Sequence, residues 1–250
     1  MYEGPDAQGI ESVFVLGNGP SRKNIDISKL DGIVIGCNAC YRDFTPDVIC
    51  ATDAGIMSDI IESGYDGKCY FTHNSWNLLP EASYDALKNE IPVPDREIHE
   101  TYRRFDSEYF VYISGLDASV KNNQSYIIWV PKGMENKIKN VGEEVYGWST
   151  GTSALHIACQ DFTCNDYEKV YLLGFDHHNN YYDNIYTDTE HYFSKDSKRV
   201  DGWKAEYNNW DKQLFKVIEE HPAVQFIWVN YRGDDFPKLP NLFSKDEKDI

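Results

Sequence analysis

The sequence has few basic residues and no long apolar segment, and both shortages exclude classes of function. It carries 24 lysines and arginines against 41 aspartates and glutamates, a formal net charge of −17. Without a basic patch, binding to a nucleic-acid backbone is not expected. No apolar stretch approaches the roughly 20 residues of a membrane span, and no signal-peptide pattern opens the chain. We therefore expect a cytoplasmic protein with no transmembrane segment and no nucleic-acid partner.

Cysteine is also scarce, with six in 250 residues. Cys37, Cys50 and Cys69 lie inside apolar runs, which is typical of reduced core residues rather than of a disulfide framework. Cys37 and Cys40 form a CxxC pair, but no second pair stands at a matching spacing. The cysteines therefore do not predict a zinc site.

The composition is that of a folded globular chain, with 41% hydrophobic and 14% aromatic residues. A length of 250 residues fits one domain with an insertion better than two equal halves. We predict a single domain over 1–250 with an inserted, helical region over 75–126. The polar, tyrosine-rich segment 177–201 predicts a lid or an active-site loop.

Short apolar runs predict strands that are buried on both faces. They are Val13–Leu16, Gly32–Gly36, Asp47–Ala51, Lys169–Gly174 and Val224–Val229. Helical patterns separate these strands: one over Ile56–Ile61 that stops at Gly64, one that begins at Thr150, and one over about Gly202–Glu220. Strands that alternate with helices predict a Rossmann-like, doubly wound α/β fold with a mostly parallel sheet. On the last helix, Trp203 and Trp210 share the apolar face and are expected in the core.

A glycine-rich turn, Gly17-Asn18-Gly19-Pro20-Ser21, follows the first predicted strand. When such a turn leads into a helix, its backbone N–H groups bind a phosphate. It is not the dinucleotide fingerprint, because Arg22 stands where the third glycine is needed, and no Gly-Lys-Ser/Thr follows as in a P-loop. The second strand ends in Cys37-Asn38, without the acidic residue that holds the ribose of NAD. We predict that the turn binds a nucleotide phosphate; the alternative is a tight turn without a ligand.

Two blocks of the sequence resemble known families. The turn, followed by Ile25–Leu30 and Cys37-Asn38, resembles the opening of the bacterial sialyltransferases of glycosyltransferase family forty-two. The segment Trp148–Ala154, followed by Val170–Asp176, resembles the second conserved block of that family. Both blocks also resemble the hydroxymethylpterin diphosphokinase-like family, whose members share the Rossmann-like core. The blocks are specific for this superfamily but not for the reaction.

The sialyltransferase resemblance implies a nucleotide-activated sugar as donor, a CMP-linked sugar being one candidate, and a glycan or small-molecule acceptor. It implies no tightly bound cofactor. Carried over by position, it implies that Asn18 and Asn38 lie near the donor nucleotide and that Ser149-Thr150-Gly151 contact its sugar or phosphate. Asp176, at the end of the next strand, is implied to lie near the nucleotide. Amides and hydroxyls bind ribose, base or phosphate without adding charge.

The resemblance also implies catalytic residues downstream of Asp176. In those enzymes a histidine of this segment takes the proton of the acceptor hydroxyl, and histidine ionises near neutral pH. His191 is our prediction for that base, and the alternative is a surface histidine in a polar loop. His178 stands where the family has the first of two phosphate-binding tyrosines, and the second corresponds to Tyr181 or Tyr182.

Two departures leave other functions open. Gly147 stands where the sialyltransferases have an arginine, and Asp53 stands where they have an asparagine, which is closer to the diphosphokinase-like pattern. One alternative is therefore a magnesium-dependent phosphotransferase, with Asp53, Asp176 and His178 as metal ligands. Another is a nucleotide-binding module without catalysis. The sequence leaves the oligomeric state open, a homo-oligomer included.

Overall fold

The computed structural model describes residues 12–71, 76–80, 109–115, 125–131, 134–145, 147–163, 169–176, 184–192 and 200–250. For 76–80, 109–115, 125–131 and 200–208 the description covers the backbone. Two compact units divide the chain. The first unit is Met1–Cys50 with Gly147–Ile250, and the second unit is Ala51–Tyr146.

The strands and α-helices are numbered here in chain order. The strands are β1 (Ser12–Leu16), β2 (Ile33–Cys37), β3 (Val48–Ala51), β4 (Lys68–Phe71), β5 (Trp76–Pro80), β6 (Tyr109–Gly115), β7 (Ser125–Pro131), β8 (Ile138–Asn140), β9 (Lys169–Leu173), β10 (Gln225–Val229) and β11 (Leu242–Lys245). The helices are α1 (Ala54–Glu62), α2 (Thr150–Ile157), which continues as a π-helical turn over Ala158–Phe162, and α3 (Val200–Glu220).

The first unit contains a parallel sheet with the strand order β11-β10-β9-β1-β2-β3. This confirms the predicted Rossmann-like α/β fold. Each apolar run that predicted a strand forms one. No end of these strands differs from its predicted position by more than one residue. These strands are buried along nearly their whole length, as expected when both faces of a parallel sheet are covered.

The order of the strands creates a switch point between β1 and β9. From β1 the chain moves through β2 to β3 on one side, and it later returns to β9, β10 and β11 on the other side. In open α/β sheets, ligands bind in the crevice outside the carboxyl ends of the strands at such a point. A ligand site is therefore expected at the residues that directly follow β1 and β9.

One face of this sheet is packed with aromatic and aliphatic side chains. The Phe14 and Tyr171 rings stack on adjacent strands with their centroids 4.7 Å apart. The buried side chains around them are Leu16, Val34, Cys40, Leu173, Ile227 and Val229. The turns that follow β1 and β2 cover this face, because Ile25, Ile27, Leu30 and Phe44 pack against the same cluster.

The helices of the first unit begin and end close to the predicted residues. Ser149 caps α2, since its hydroxyl accepts a hydrogen bond from the N–H of Thr152 at 3.2 Å. Helix α3 spans the predicted segment and buries Leu214, Val217 and Ile218 completely. Of the two tryptophans predicted in the core, Trp210 is only half-buried, and the side chain of Trp203 lies outside the described residues. A large indole is often covered incompletely.

The second unit differs from the sequence prediction. Helix α1 is present as predicted and ends before Gly64, which has a φ of +77°. The described parts of the predicted helical insertion are strands: β5, β6 and β7 form an antiparallel sheet in that order. Strands β6 and β7 are rich in aromatic and β-branched residues, which favour strands over helices. Separately, β4 pairs with β8 in parallel.

No described helix has both the length and the apolar character that a membrane span requires. Of the predicted lid over 177–201, the structure describes 184–192 and the first residues of α3. The assignment of 75–126 as an insertion and of 177–201 as a lid or an active-site loop stays a prediction.

Leu214→Ala is expected to lower the free energy of unfolding by about 2–5 kcal/mol, because it empties a fully buried site on α3. The matched control is Phe243→Ala on the edge strand β11, where the side chain is 46% exposed and the loss should be about 1 kcal/mol or less. Urea denaturation of both variants measures the difference. Equal losses would contradict this assignment of the core.

Candidate functional site

The turns that follow β1 and β9 are joined by backbone hydrogen bonds. The N–H of Gly17 donates to the carbonyl of Leu173 at 2.8 Å, and the N–H of Gly19 donates to the carbonyl of Gly174 at 2.9 Å. A Cβ atom on Gly17 would lie 2.5 Å from the carbonyl oxygen of Gly174. The glycines at this switch point are therefore required by close contact between the two turns.

Asp176 occupies the inside of the glycine-rich turn. One of its carboxylate oxygens accepts a hydrogen bond from the N–H of Ser21 at 2.7 Å. A Cβ atom on Gly19 would collide with that carboxylate and would lie 2.7 Å from the carbonyl oxygen of Gly174. An acidic side chain thus holds the position that the sequence predicts for a phosphate.

The segment after the turn is shorter than expected. Pro20–Arg22 forms a single 3-10 turn and not a helix, and Gly19 has a φ of −74°, which any residue can adopt. One turn provides a much weaker dipole than a full helix for an anion. In this structure the backbone N–H groups of Gly19 and Ser21 already donate to acceptors within the protein. A phosphate at this turn would therefore need other donors or a rearrangement of the turn. Phosphate binding there stays a prediction.

Arg22 fills the space that a third glycine would leave open. Its side chain is 5% exposed, its Nε donates to the carbonyl of Gly17 at 2.8 Å, and its Nη2 donates to the hydroxyl of Tyr186 at 3.0 Å. Tyr186 in turn donates to Asp43, which also lies 3.6 Å from the guanidinium. Burial raises the pKa of the Tyr186 phenol well above its ordinary value, so the hydroxyl keeps its proton for this bond.

Asn18 makes hydrogen bonds through both ends of its side-chain amide and through its backbone carbonyl. Its Nδ2 donates to the carbonyl of Cys37 at 3.2 Å and to the hydroxyl of Tyr192 at 3.1 Å. Its Oδ1 accepts from the thiol of Cys40 at 3.1 Å, and its backbone carbonyl accepts from the N–H of Ile185 at 2.9 Å. The structure thus brings the predicted donor-binding residue Asn18 to the center of a network.

Asn38 and Thr150 meet beside this network. Asn38 follows β2 with a φ of +50°, in the left-handed region that asparagine tolerates. The hydroxyl of Thr150, the first residue of α2, donates to the Oδ1 of Asn38 at 3.4 Å. Gly151 packs on the ring of Phe175, whose nearest atom would be 3.2 Å from a Cβ there. Ser149 is engaged as the helix cap, and its N–H donates to the Oε1 of Gln213 at 3.1 Å.

The segment 184–192 returns to the same turns. Besides the contacts of Ile185, Tyr186 and Tyr192 already described, Arg42 donates to the hydroxyl of Thr189 at 3.1 Å and to the carbonyl of Glu190. His191 is exposed and has a φ of +64°. Its neighbour Tyr192 contacts both Asn18 and the N–H of Ala39, so the segment carries His191 next to the network.

Several predicted site residues cannot be joined to this arrangement. His178, Tyr181 and Tyr182 lie outside the described residues. Asp53 belongs to the second unit, where it precedes α1 and accepts at its carbonyl the hydrogen bond from the N–H of Met57. Within the described part of the chain, no group of three or more His, Cys, Asp or Glu side chains could hold a metal ion.

Among the described residues no cysteine forms a disulfide, and the five described cysteines are buried: Cys37, Cys40, Cys50, Cys69 and Cys159. The expectation of reduced core residues is confirmed for these. Burial raises the pKa of the Cys37 and Cys40 thiols, which therefore stay protonated and able to donate hydrogen bonds. The thiol of Cys37 is 3.8 Å from the carbonyl oxygen of Thr150, and it links the end of β2 to the start of α2.

No role was predicted from the sequence for Arg22, Asp43 or Cys40, although all three take part in the network. Arg22 was noted only as a departure from the dinucleotide fingerprint. A buried arginine directly after a glycine-rich turn is itself a signal, since its charge requires partners in the interior. Those partners could not be named, because Tyr186 is 164 residues away along the chain.

The chain matches no family model, and no curated protein matches its sequence. Its structure is similar to the crystal structure of Cst-I, a monofunctional alpha-2,3-sialyltransferase from Campylobacter jejuni. The two chains are 15% identical, the match covers 91% of this chain and 79% of that chain, and the TM-score is 0.42. A likeness at this level assigns neither a family nor a reaction.

Gly19→Ala is expected to lower the free energy of unfolding by about 1–3 kcal/mol, because the new methyl group overlaps the Asp176 carboxylate and the Gly174 carbonyl. Denaturant melts of Gly19→Ala, Asp176→Ala and the double variant measure the effect. Since the two sites share a contact, the double variant should lose less than the sum; strict additivity would contradict the contact.

Proposed function

We propose that the protein is an inverting glycosyltransferase that uses a nucleotide-activated sugar. The observation that carries this proposal is the meeting of Asn18, Asn38, Thr150 and Asp176 at the carboxyl ends of β1, β2 and β9. Strands β1 and β9 flank the switch point, where open α/β sheets bind ligands. The sequence resemblance to sialyltransferases supports the choice of a sugar donor.

The chemistry of these side chains fits a nucleoside. Amide and hydroxyl groups match the donors and acceptors of ribose and of a pyrimidine edge without charge. Nε and Nη2 of Arg22 are engaged by Gly17, Tyr186, Cys40 and Asp43. Arg22 is therefore assigned to holding the turn together and not to binding the donor phosphate.

The proposed reaction is a single displacement. His191 takes the proton of the acceptor hydroxyl, and the acceptor oxygen forms a bond to the anomeric carbon as the bond from that carbon to the phosphate oxygen breaks on the opposite face. The nucleotide leaves with the electron pair of that bond. Tyr181 or Tyr182 is proposed to stabilise the phosphate as it departs. The anchoring of 184–192 beside Asn18 supports His191 as the base.

The first experiment is a thermal-shift panel of nucleotides and nucleotide sugars, with and without magnesium. A ligand that binds only the folded state raises the melting temperature by mass action. Thr150→Val, which removes the hydroxyl at the start of α2, is expected to weaken the affinity for the best ligand by about five- to tenfold. The matched control is Thr163→Val, whose hydroxyl bonds the Cys159 carbonyl beyond the other end of α2.

The panel also separates the alternatives. Stabilisation by nucleotide sugars without magnesium supports the glycosyltransferase. Binding and turnover that a chelator abolishes would favour the magnesium-dependent phosphotransferase instead. Binding without turnover of any sugar donor would favour a nucleotide-binding module, and an absence of binding would overturn the proposal.

His191→Ala is expected to lower turnover by roughly 10²–10⁴-fold while the affinity for the nucleotide stays near that of the wild type, because a base acts on the acceptor proton. His221→Ala is the control, since His221 bonds the Val217 carbonyl at the end of α3. Steady-state kinetics with a donor from the panel gives both quantities. If His178→Ala stops turnover and His191→Ala does not, the base is His178 and the role proposed for His191 is wrong.

A further inference from the structure

The CxxC segment has a function in the structure that needs neither a metal nor a disulfide. The side chain of Cys40 is fully buried, next to the glycine-rich turn. Its sulfur accepts hydrogen bonds from the N–H of Cys37 at 3.2 Å and from Nη2 of Arg22 at 3.7 Å. The Cys37 N–H and the Arg22 guanidinium both donate to the sulfur, so the thiol hydrogen of Cys40 points to a different group, which must be an acceptor.

The nearest acceptor is the amide oxygen of Asn18, 3.1 Å from the sulfur; the carbonyl of Leu16 is more distant, at 3.7 Å. This contact and the Cys37 carbonyl act together on the orientation of the Asn18 amide. With Oδ1 on the thiol, Nδ2 faces the carbonyl of Cys37 and the hydroxyl of Tyr192. The opposite orientation would set an amide N–H₂ group against a thiol hydrogen and an oxygen against the Cys37 carbonyl.

We propose that Cys40 is a positioning residue that fixes the amide of Asn18 so that Asn18 meets the nucleotide through its oxygen. A carbonyl oxygen has two lone pairs, and the thiol uses one of them. The other lone pair is kept for a hydroxyl or amino group of the ligand. Cys40 itself has no exposed surface and acts only through Asn18. This inference rests on the proposed nucleotide site.

The test is isothermal titration of CMP, UMP and UDP into the wild type and a set of variants, using the nucleotide that binds the wild type most tightly. Cys40→Ala removes the donor and should weaken binding by about five- to tenfold, the value of one neutral hydrogen bond. Cys40→Ser keeps a donor and should recover most of the affinity. Cys159→Ala removes another buried cysteine of the same unit and should leave affinity unchanged.

A double-mutant cycle with Asn18→Ala separates positioning from a general loss of structure. If Cys40 acts through Asn18, Cys40→Ala together with Asn18→Ala should bind no more weakly than Asn18→Ala alone. Thermal melts of every variant identify any that fail to fold, and Cys40→Ser provides the folded comparison in that case. Additive losses, or unchanged binding in Cys40→Ala, would overturn the role of Cys40 and leave the proposed function standing. A wild type that binds none of the three nucleotides would overturn the nucleotide site itself.

Discussion

The buried guanidinium of Arg22 is the constraint on which the rest of the site depends. A charge in the interior is costly unless it is paired and fully hydrogen-bonded. Here the cost is offset by partners from three separate parts of the chain: the Gly17 carbonyl after β1, Asp43 and Cys40 after β2, and Tyr186 in 184–192. The aromatic rings of Phe44 and Tyr186 also lie within 6 Å of the guanidinium, at 5.8 and 5.9 Å. One side chain thus fixes the mutual positions of three segments.

The glycines of the switch point work together with this arginine. Gly17 and Gly19 let the turn after β1 contact the turn after β9, and the positive φ of Gly174 lets β9 end at that contact. Asp176 then closes the turn by accepting from Ser21, whose carbonyl in turn accepts from Nδ2 of Asn230 at 2.9 Å. The turn is therefore stabilised from within, which differs from a phosphate loop that gains its partners from a ligand. The polar groups assigned to the ligand are the side chains of Asn18, Asn38 and Thr150.

The parts of the fold that depend on local pattern could be predicted from the sequence. The buried strands appeared as short apolar runs, and the start of α2 appeared as Ser149 before a run of small and apolar residues. The strands β8 and β11 were not predicted, because short edge strands such as Leu242–Lys245 lack a continuous apolar run. The insertion was predicted as helical because it contains several prolines and a run of charged residues. The aromatic and β-branched runs of β6 and β7, which favour strands, were not recognised among them.

The candidate site could be predicted only in outline. The resemblance indicated Asn18, Asn38, Thr150 and Asp176, and the structure brings these four residues of the first unit to one edge of the sheet. The bond between Asp176 and Ser21 could not be predicted, because it joins residues 155 positions apart and depends on the strand order. The same holds for the thiol of Cys40, whose nearest polar acceptor is 22 positions earlier. Contacts of this kind depend on the order of the strands in the sheet, and no local segment of the sequence determines that order.

The central claim is that a nucleotide binds at the carboxyl ends of β1, β2 and β9. Hydrogen exchange of the backbone amides, followed with and without the nucleotide that stabilises the protein most, tests it most directly. The account predicts slower exchange on binding within Gly17–Arg22, Asn38–Cys40 and Thr150–Ser153, with no change at the edge strand β11. Unchanged exchange in all three segments, with slower exchange elsewhere, would contradict it.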